Sequence, residues 1–147
     1  MTTANQVKYI EFGIGGENYA VKIEEVDEII KLQPITDIPF ARRHVKGVIN
    51  LRSHIIPVVT LRGMLGLPEE AHTKSTRIVI VKHEGESIGM IVDRVNQVTT
   101  YSNIQPPPEQ IGRVSGEVCN GIGMRNEQLV SILNTEELFI RGPRDRA

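Results

Sequence analysis

A chain of 147 residues, 39% hydrophobic and 24% charged, can bury the core of one ordinary domain or of two very small subdomains that share one. No apolar run approaches the roughly 20 residues that span a bilayer, the start MTTANQVKYIEF lacks the features of an export signal, and the lone Cys119 can form no internal disulfide, which together point to the cytoplasm. The net charge of −1 is spread evenly along the chain and leaves out the basic excess that attracts nucleic acid or an anionic membrane; only Arg42, Arg43, His44 and Lys46, with Arg52 nearby, break the mixture.

Residues Val7 to Ile14 alternate apolar and polar, a Gly-Gly-Glu stretch follows, and Tyr19, Val21 and Ile23 resume the alternation, which predicts a β-hairpin. In EEVDEII, Val26, Ile29 and Ile30 are spaced at three and four residues, which predicts a short helical turn with one apolar side. The prolines of Leu32–Ala41 mark a surface link. Strands resume around Lys46–Leu51 and His54–Thr60, LRGMLGL reads as a brief helix ended by Gly66 and Pro68, and Pro68 to Lys74 form a polar connector.

Beyond the connector the pattern repeats. Sliding the sequence by 69 residues places Ile10 on Val79, Phe12 on Val81, Gly16 on Gly85, Tyr19 on Ile88, Val21 on Met90, Val26 on Val95 and Ile29 on Val98. The same offset puts Pro39 on Pro108 and Gly47 on Gly116; with five residues inserted, IIPVVTLRGML lies over LVSILNTEELF, so that Val58 meets Ile132. Two related halves are expected, 7–67 and 74–140, with exchange of strands between them left open, a second long link at Ser102–Gly116 and a mobile tail at 141–147. Five strands per half imply a mainly β protein of two small barrels or tightly curled sheets packed together.

Catalytic chemistry finds no foothold in the motifs. His44, His54, His72 and His83 lie ten or more residues apart, without the spacing of a metal site, so no metal is expected. The glycine-rich FGIGGE and NGIGM do not complete a dinucleotide fingerprint, and tight turns or close backbone contacts account for them. No P-loop and no Gly-x-Ser-x-Gly elbow is present. The pairs Glu24–Glu25, Glu69–Glu70 and Glu136–Glu137 are adjacent residues that point apart, which disfavours shared acid–base work. A binding module with no catalytic residue and no cofactor is the expectation.

The segment HVKGVINLRSHIIPVVTLRGMLGL, His44 to Leu67, resembles the signature of CheW-type chemotaxis coupling proteins, an Asn-Leu-Arg-Gly turn followed by an Ile/Val-x-Pro-Val/Ile-Val strand. GENYAVKIEEVDEII and SIGMIVDRVNQV extend the resemblance over nearly the whole chain. It implies two five-stranded, SH3-like β-barrel subdomains. It also implies a non-catalytic adaptor, joining the helical-hairpin tip of chemoreceptors to the regulatory domain of the CheA histidine kinase, monomeric alone and arrayed in complexes. The chain's length favours a stand-alone coupler over the regulatory domain of a larger chemotaxis protein, such as a kinase or a receiver fusion; an enzyme with an unrecognised cleft is the remaining alternative.

Carried over by position, the resemblance assigns Arg52 to the receptor contact, with Asn50 shaping its turn. Val26, Glu28 and Ile29 match a partner-binding surface, although the spacing of Val26 and Ile29 suits a core role equally well. Gly47 and Gly89 match family glycines, for which close backbone packing is the simple explanation. Ser53 stands where the family has glycine, and a positive φ there would cost serine about 1 kcal/mol or more. Thr60 replaces a common aspartate and removes a charge.

Overall fold

Alternate residues of the first strand serve two different cores. In β1 (Tyr9–Ile14) every residue is buried: Ile10, Phe12 and Ile14 enter one apolar cluster, whereas Tyr9 belongs to another. The computed structural model describes residues 6–39, 44–107, 110–111, 114–115 and 118–141; Arg42, Arg43, Pro108, Gly116 and positions 142–147 of the expected tail lie outside them.

The chain continues through β2 (Glu17–Lys22), a 3-10 turn at Ile23–Glu25, β3 (Val26–Lys31), β4 (Val45–Leu51), β5 (His54–Thr60) and helix α1 (Leu61–Met64). There follow β6 (Arg77–His83), β7 (Glu86–Val92), β8 (Arg94–Thr99), the short ribbon β9 (Gln110–Ile111) and β10 (Val114–Ser115), then β11 (Cys119–Arg125), β12 (Gln128–Leu133) and helix α2 (Thr135–Arg141). The protein is mainly β, with two five-stranded sheets ordered β11-β12-β2-β1-β8 and β3-β6-β7-β5-β4. No helix among the described residues is long and apolar enough to cross a membrane.

The strand orders interlock the two halves of the sequence. Hairpin β1–β2 sits in a sheet whose other strands come from beyond residue 93, and hairpin β6–β7 sits among β3, β4 and β5. Each inserted hairpin is held by a parallel ladder: Ile132 pairs with Ala20 in one sheet and Val58 with Gly89 in the other. Those pairs coincide under the offsets of 69 and 74 residues read from the sequence. The bulges coincide as well, between Val26 and Glu28 on β3 and between Glu11 and Phe12, where β1 meets β8. Past β3 the chain crosses to the opposite edge, where Thr36 bridges Val48, and past β8 Gln105 bridges Ile122 in the same way. Each sheet is thereby curled into a small barrel whose seam is closed by its own link.

Two expectations are corrected. The helical turn ends at Glu25, and Val26 to Ile30 form strand β3 against β6. The bulge adds a residue to the strand, so Val26 and Ile29 both pack against the central cluster although they are three positions apart; this spacing is what imitated a helix. Gly47 is equivalent to Gly121 rather than Gly116, since each follows the bulge opening the last hairpin of its barrel, so the five-residue insertion precedes that hairpin. A Cβ at Gly47 would lie 2.2 Å from the Thr36 carbonyl oxygen, and only glycine admits the bridge there.

The central cluster fills the space between the barrels with Ile10, Phe12 and Tyr19 from one sheet, Val79, Val81 and Met90 from the other, and Leu61 and Leu138 from the two helices. The interior of the β3–β7 barrel is uniformly aliphatic, with Ile49, Ile56, Val58, Ile78, Ile80 and Ile91. Gly89 lies beneath Ile78, whose Cγ2 is 2.8 Å from where a Cβ would be, and its counterpart in the other barrel is the similarly small Ala20. Thr60 caps α1 by accepting the Gly63 N–H at 2.9 Å and donates its hydroxyl to Glu69 at 2.7 Å, so a carboxylate still stands at the end of β5. Gly47→Ala is expected to destabilise the protein by about 1–3 kcal/mol through the clash with Thr36, read as a lower urea midpoint; an unchanged midpoint would show that the seam yields freely.

Candidate interaction sites

The β4–β5 hairpin turns on two residues, Arg52 and Ser53, with φ of 51° and 71°. Two-residue hairpin loops of the I′ family need this left-handed backbone at both positions, which Asn and Gly fill most easily. Part of the strain is offset locally, because the Asn50 side-chain oxygen accepts the Ser53 N–H at 2.9 Å. Arg52 projects from the turn with 69% of its side chain exposed and forms an ion pair with Glu28 of β3 across the barrel seam. An ion pair this exposed contributes about 0–1 kcal/mol. Its energetic weight for folding is small.

Glu28, Asn50 and Arg52 thus gather at one corner, whereas Val26 and Ile29 are half-buried against the central cluster. Ile55 lies beside the turn and is 65% exposed, while Ile56 turns inward. A groove of about 490 Å³ runs from this corner, lined by Asp27, Glu28, Arg52, Ile55, Pro57 and Ser87. It is a charged groove with an apolar ridge. On its rim Asp27 pairs with Lys82 at 3.5 Å and accepts the Ser87 hydroxyl at 3.3 Å.

The pseudo-equivalent hairpin of the other barrel, β11–β12, turns on Asn126 and Glu127 with φ of 52° and 67°. Beside it lies a groove of about 710 Å³ lined by Asn103, Gln105, Pro106, Ile122, Met124 and Leu129. Met124 and Leu129 are both more than half exposed. Exposed apolar side chains gathered beside one groove are a surface suited to a protein partner. The two hairpin faces are alike in backbone and unlike in chemistry.

Two polar networks were not foreseen from sequence. Asp93, between β7 and β8, accepts from Arg62 of α1 at 2.6 and 3.1 Å and from the Gly15 N–H of the β1–β2 turn at 2.7 Å, while Arg94 donates to the Gly15 carbonyl at 2.9 Å. Burial pushes the Asp93 carboxyl up, but these donors outweigh it and hold it below the usual carboxylate range. Only the position of Asp93 within SIGMIVDRVNQV signalled its importance. In the second network Glu11, fully buried on β1, accepts from Arg125 at 2.6 and 2.8 Å, from the Tyr101 hydroxyl at 2.7 Å and from Asn96 at 2.7 Å. The apolar–polar alternation of β1 does not by itself distinguish this buried glutamate from a solvent-facing one.

The family model of the CheW-like domain matches residues 8–141. The chain belongs to the CheW-like domain family. It is 35% identical over 135 residues to the chemotaxis protein CheW of Helicobacter pylori, covering 90% of this chain and 81% of that protein. It is likewise 35% identical over 134 residues to the chemotaxis protein CheW of Bacillus subtilis, covering 90% and 86%. The crystal structure of the scaffolding protein TtCheW from Thermoanaerobacter tengcongensis superposes with a TM-score of 0.83 at 32% identity, covering 91% of this chain and 88% of that one. The resemblance read from the Asn-Leu-Arg turn is therefore a family relationship, and the two-barrel architecture is the CheW-like fold.

Within this CheW-like chain Ser53 does occupy a left-handed position, which glycine would fit without strain. Ser53→Gly is expected to stabilise the protein by about 1 kcal/mol, raising Tm by about 2–4 °C; an unchanged or lower Tm would show that the Asn50 bond already relieves the strain. The Glu11 carboxyl is pushed up by burial and pulled down further by Arg125, Tyr101 and Asn96, to about 2 from an ordinary 4.5. Its folded value is depressed, so the stability it confers is complete above pH 4.5 and is lost as pH falls toward 2. Glu11→Gln is expected to cost about 3–5 kcal/mol at pH 7 and to flatten that acid limb in urea titrations; parallel acid limbs for variant and parent would contradict the assignment.

Proposed function

We infer that this chain is a non-catalytic chemotaxis adaptor that couples the cytoplasmic tip of chemoreceptors to the regulatory domain of a CheA-type histidine kinase. The observation that carries the reading is the pair of unlike exposed faces held on one interlocked body, the Arg52–Glu28 corner of one barrel and the Met124–Leu129 groove of the other. The names of its relatives, chemotaxis proteins and a scaffolding protein, support it. An adaptor works by mass action and geometry: it raises the effective concentration of one partner beside the other and fixes their orientation, so that a change in one biases the other.

The receptor tip, a helical hairpin, docks at the charged corner. Arg52 supplies a cation held on a rigid turn, Asn50 shapes that turn, Glu28 orients the guanidinium, and Ile55 offers the apolar ridge a helix face needs. Val26 and Ile29 support this surface from beneath by setting the path of β3. The kinase domain packs against the apolar strands around Met124, Leu129 and Ile122, where burial of apolar side chains supplies the affinity. In the cell the chain is cytoplasmic and recruited to receptor arrays, monomeric alone and arrayed in complexes.

Co-sedimentation with a receptor signalling fragment and with a CheA-type regulatory domain tests the reading. A complex with each is expected, and the absence of both at tens of micromolar would overturn the assignment. Arg52→Glu is expected to weaken receptor association about tenfold, or about 1.4 kcal/mol, while Tm moves by less than about 4 °C. A large fall in Tm with unchanged receptor binding would make Arg52 a structural residue instead.

A further inference from the structure

The geometry points to a positioning role for Glu11: its buried carboxylate holds together the two walls of the β11–β12 groove and so sets the shape offered to the partner that docks there. The inference rests on the assignment of that groove to the kinase domain. One wall is the hairpin itself, and Arg125, the last residue of β11, donates both Nε and Nη2 to Glu11. The other wall is the segment from Ser102 to Pro106, and Tyr101, immediately before it, donates its hydroxyl to the same carboxylate. Tyr101 also lies directly beneath the hairpin, because a Cβ at Gly123 would come within 2.9 Å of its ring. Gly123 and Met124 line the groove. One anion therefore receives donors from both sides of the binding surface, and Asn96 of β8 fills its remaining capacity at 2.7 Å.

The other barrel shows that this arrangement is not needed for the fold. Under the internal offsets Glu11 corresponds to Ile80, Arg125 to Leu51 and Tyr101 to Leu32, three aliphatic residues that pack in or against the barrel interior. The same strands in the same register close around an apolar interior there. A buried ion pair is often no more stabilising than the apolar residues that would replace it. What the pair supplies instead is direction: a bidentate guanidinium and a phenol bonded to one carboxylate have a single satisfied geometry, whereas aliphatic packing tolerates sliding. The groove beside the polar barrel is thereby fixed in shape, although its rim is loop and hairpin.

The test is a triple variant, Glu11→Ile with Arg125→Leu and Tyr101→Phe, which copies the apolar character of the other barrel, together with Tyr101→Phe alone, which leaves the ion pair intact. Both are measured as full chains for Tm, for affinity to the CheA-type regulatory domain and to the receptor fragment, and for amide hydrogen exchange at Gly123 and Met124. The triple variant is expected to keep its Tm within a few degrees, to exchange at least tenfold faster at those amides, and to lose at least tenfold in kinase-domain affinity with receptor affinity unchanged. Tyr101→Phe is expected to move exchange and kinase affinity the same way by a smaller factor. If either variant that folds retains both the exchange rate and the kinase affinity of the parent, the positioning role is overturned. If the parent itself does not bind the kinase domain, the docking assignment fails, and the exchange rates alone decide whether Glu11 holds the groove.

Discussion

Neither barrel can close without a hairpin from the other half of the chain. The parallel ladders that seat β7 beside β5 and β2 beside β12 make this so, and they impose small residues, Gly89 and Ala20, where the inserted hairpin faces the interior. The same hairpins carry Phe12, Tyr19, Val79 and Met90 into the cluster between the barrels, so barrel closure and barrel packing use opposite faces of the same strands. This is why β1 is buried throughout, and Arg77 is the only residue of the first five of β6 that is not fully buried. Asp93 completes the arrangement by joining α1, the β1–β2 turn and the start of β8 through charge-assisted bonds. The two hairpin faces are consequently presented at a fixed relation to each other, which is what an adaptor requires of its scaffold.

Within that shared frame the two barrels diverge in their interiors and at their surfaces. One is filled with isoleucine and valine and carries its charges outside, at Glu28 and Arg52; the other holds its principal ion pair inside and exposes Met124 and Leu129. A duplicated backbone thus offers two chemistries. A pair of identical faces would invite the same partner twice, whereas a charged corner and an apolar groove discriminate.

The parts of this organisation visible in the sequence were those written as local pattern. The offset of 69 residues, the Gly15–Gly16 turn and the brief helix ended by Gly66 and Pro68 were legible because hairpin alternation, glycine and breaker residues act over a few positions, whereas the Thr60 cap of that helix emerged only from the structure. The bulge on β3 was not, since an added residue changes the side-chain period from two to three and mimics a helix. Gly47 was matched to Gly116 because the insertion could be placed anywhere in a link that lacks periodicity, and only the Thr36 and Gln105 bridges fix it. Arg52 and Glu28 were singled out separately through family resemblance; that they touch depends on the curl of the sheet, since β3 and β4 are its opposite edges. Glu11 was passed over because nothing local distinguishes a glutamate facing water from one facing Arg125, which is 114 residues away.

The proposed adaptor role requires one body to engage two partners at once through separate faces. Sedimentation velocity of the full chain mixed with saturating receptor fragment and CheA-type regulatory domain measures this directly. A single ternary species, heavier than either binary complex and containing all three chains, is the expected result. Two binary complexes that displace one another, with no ternary species at any ratio, would contradict it.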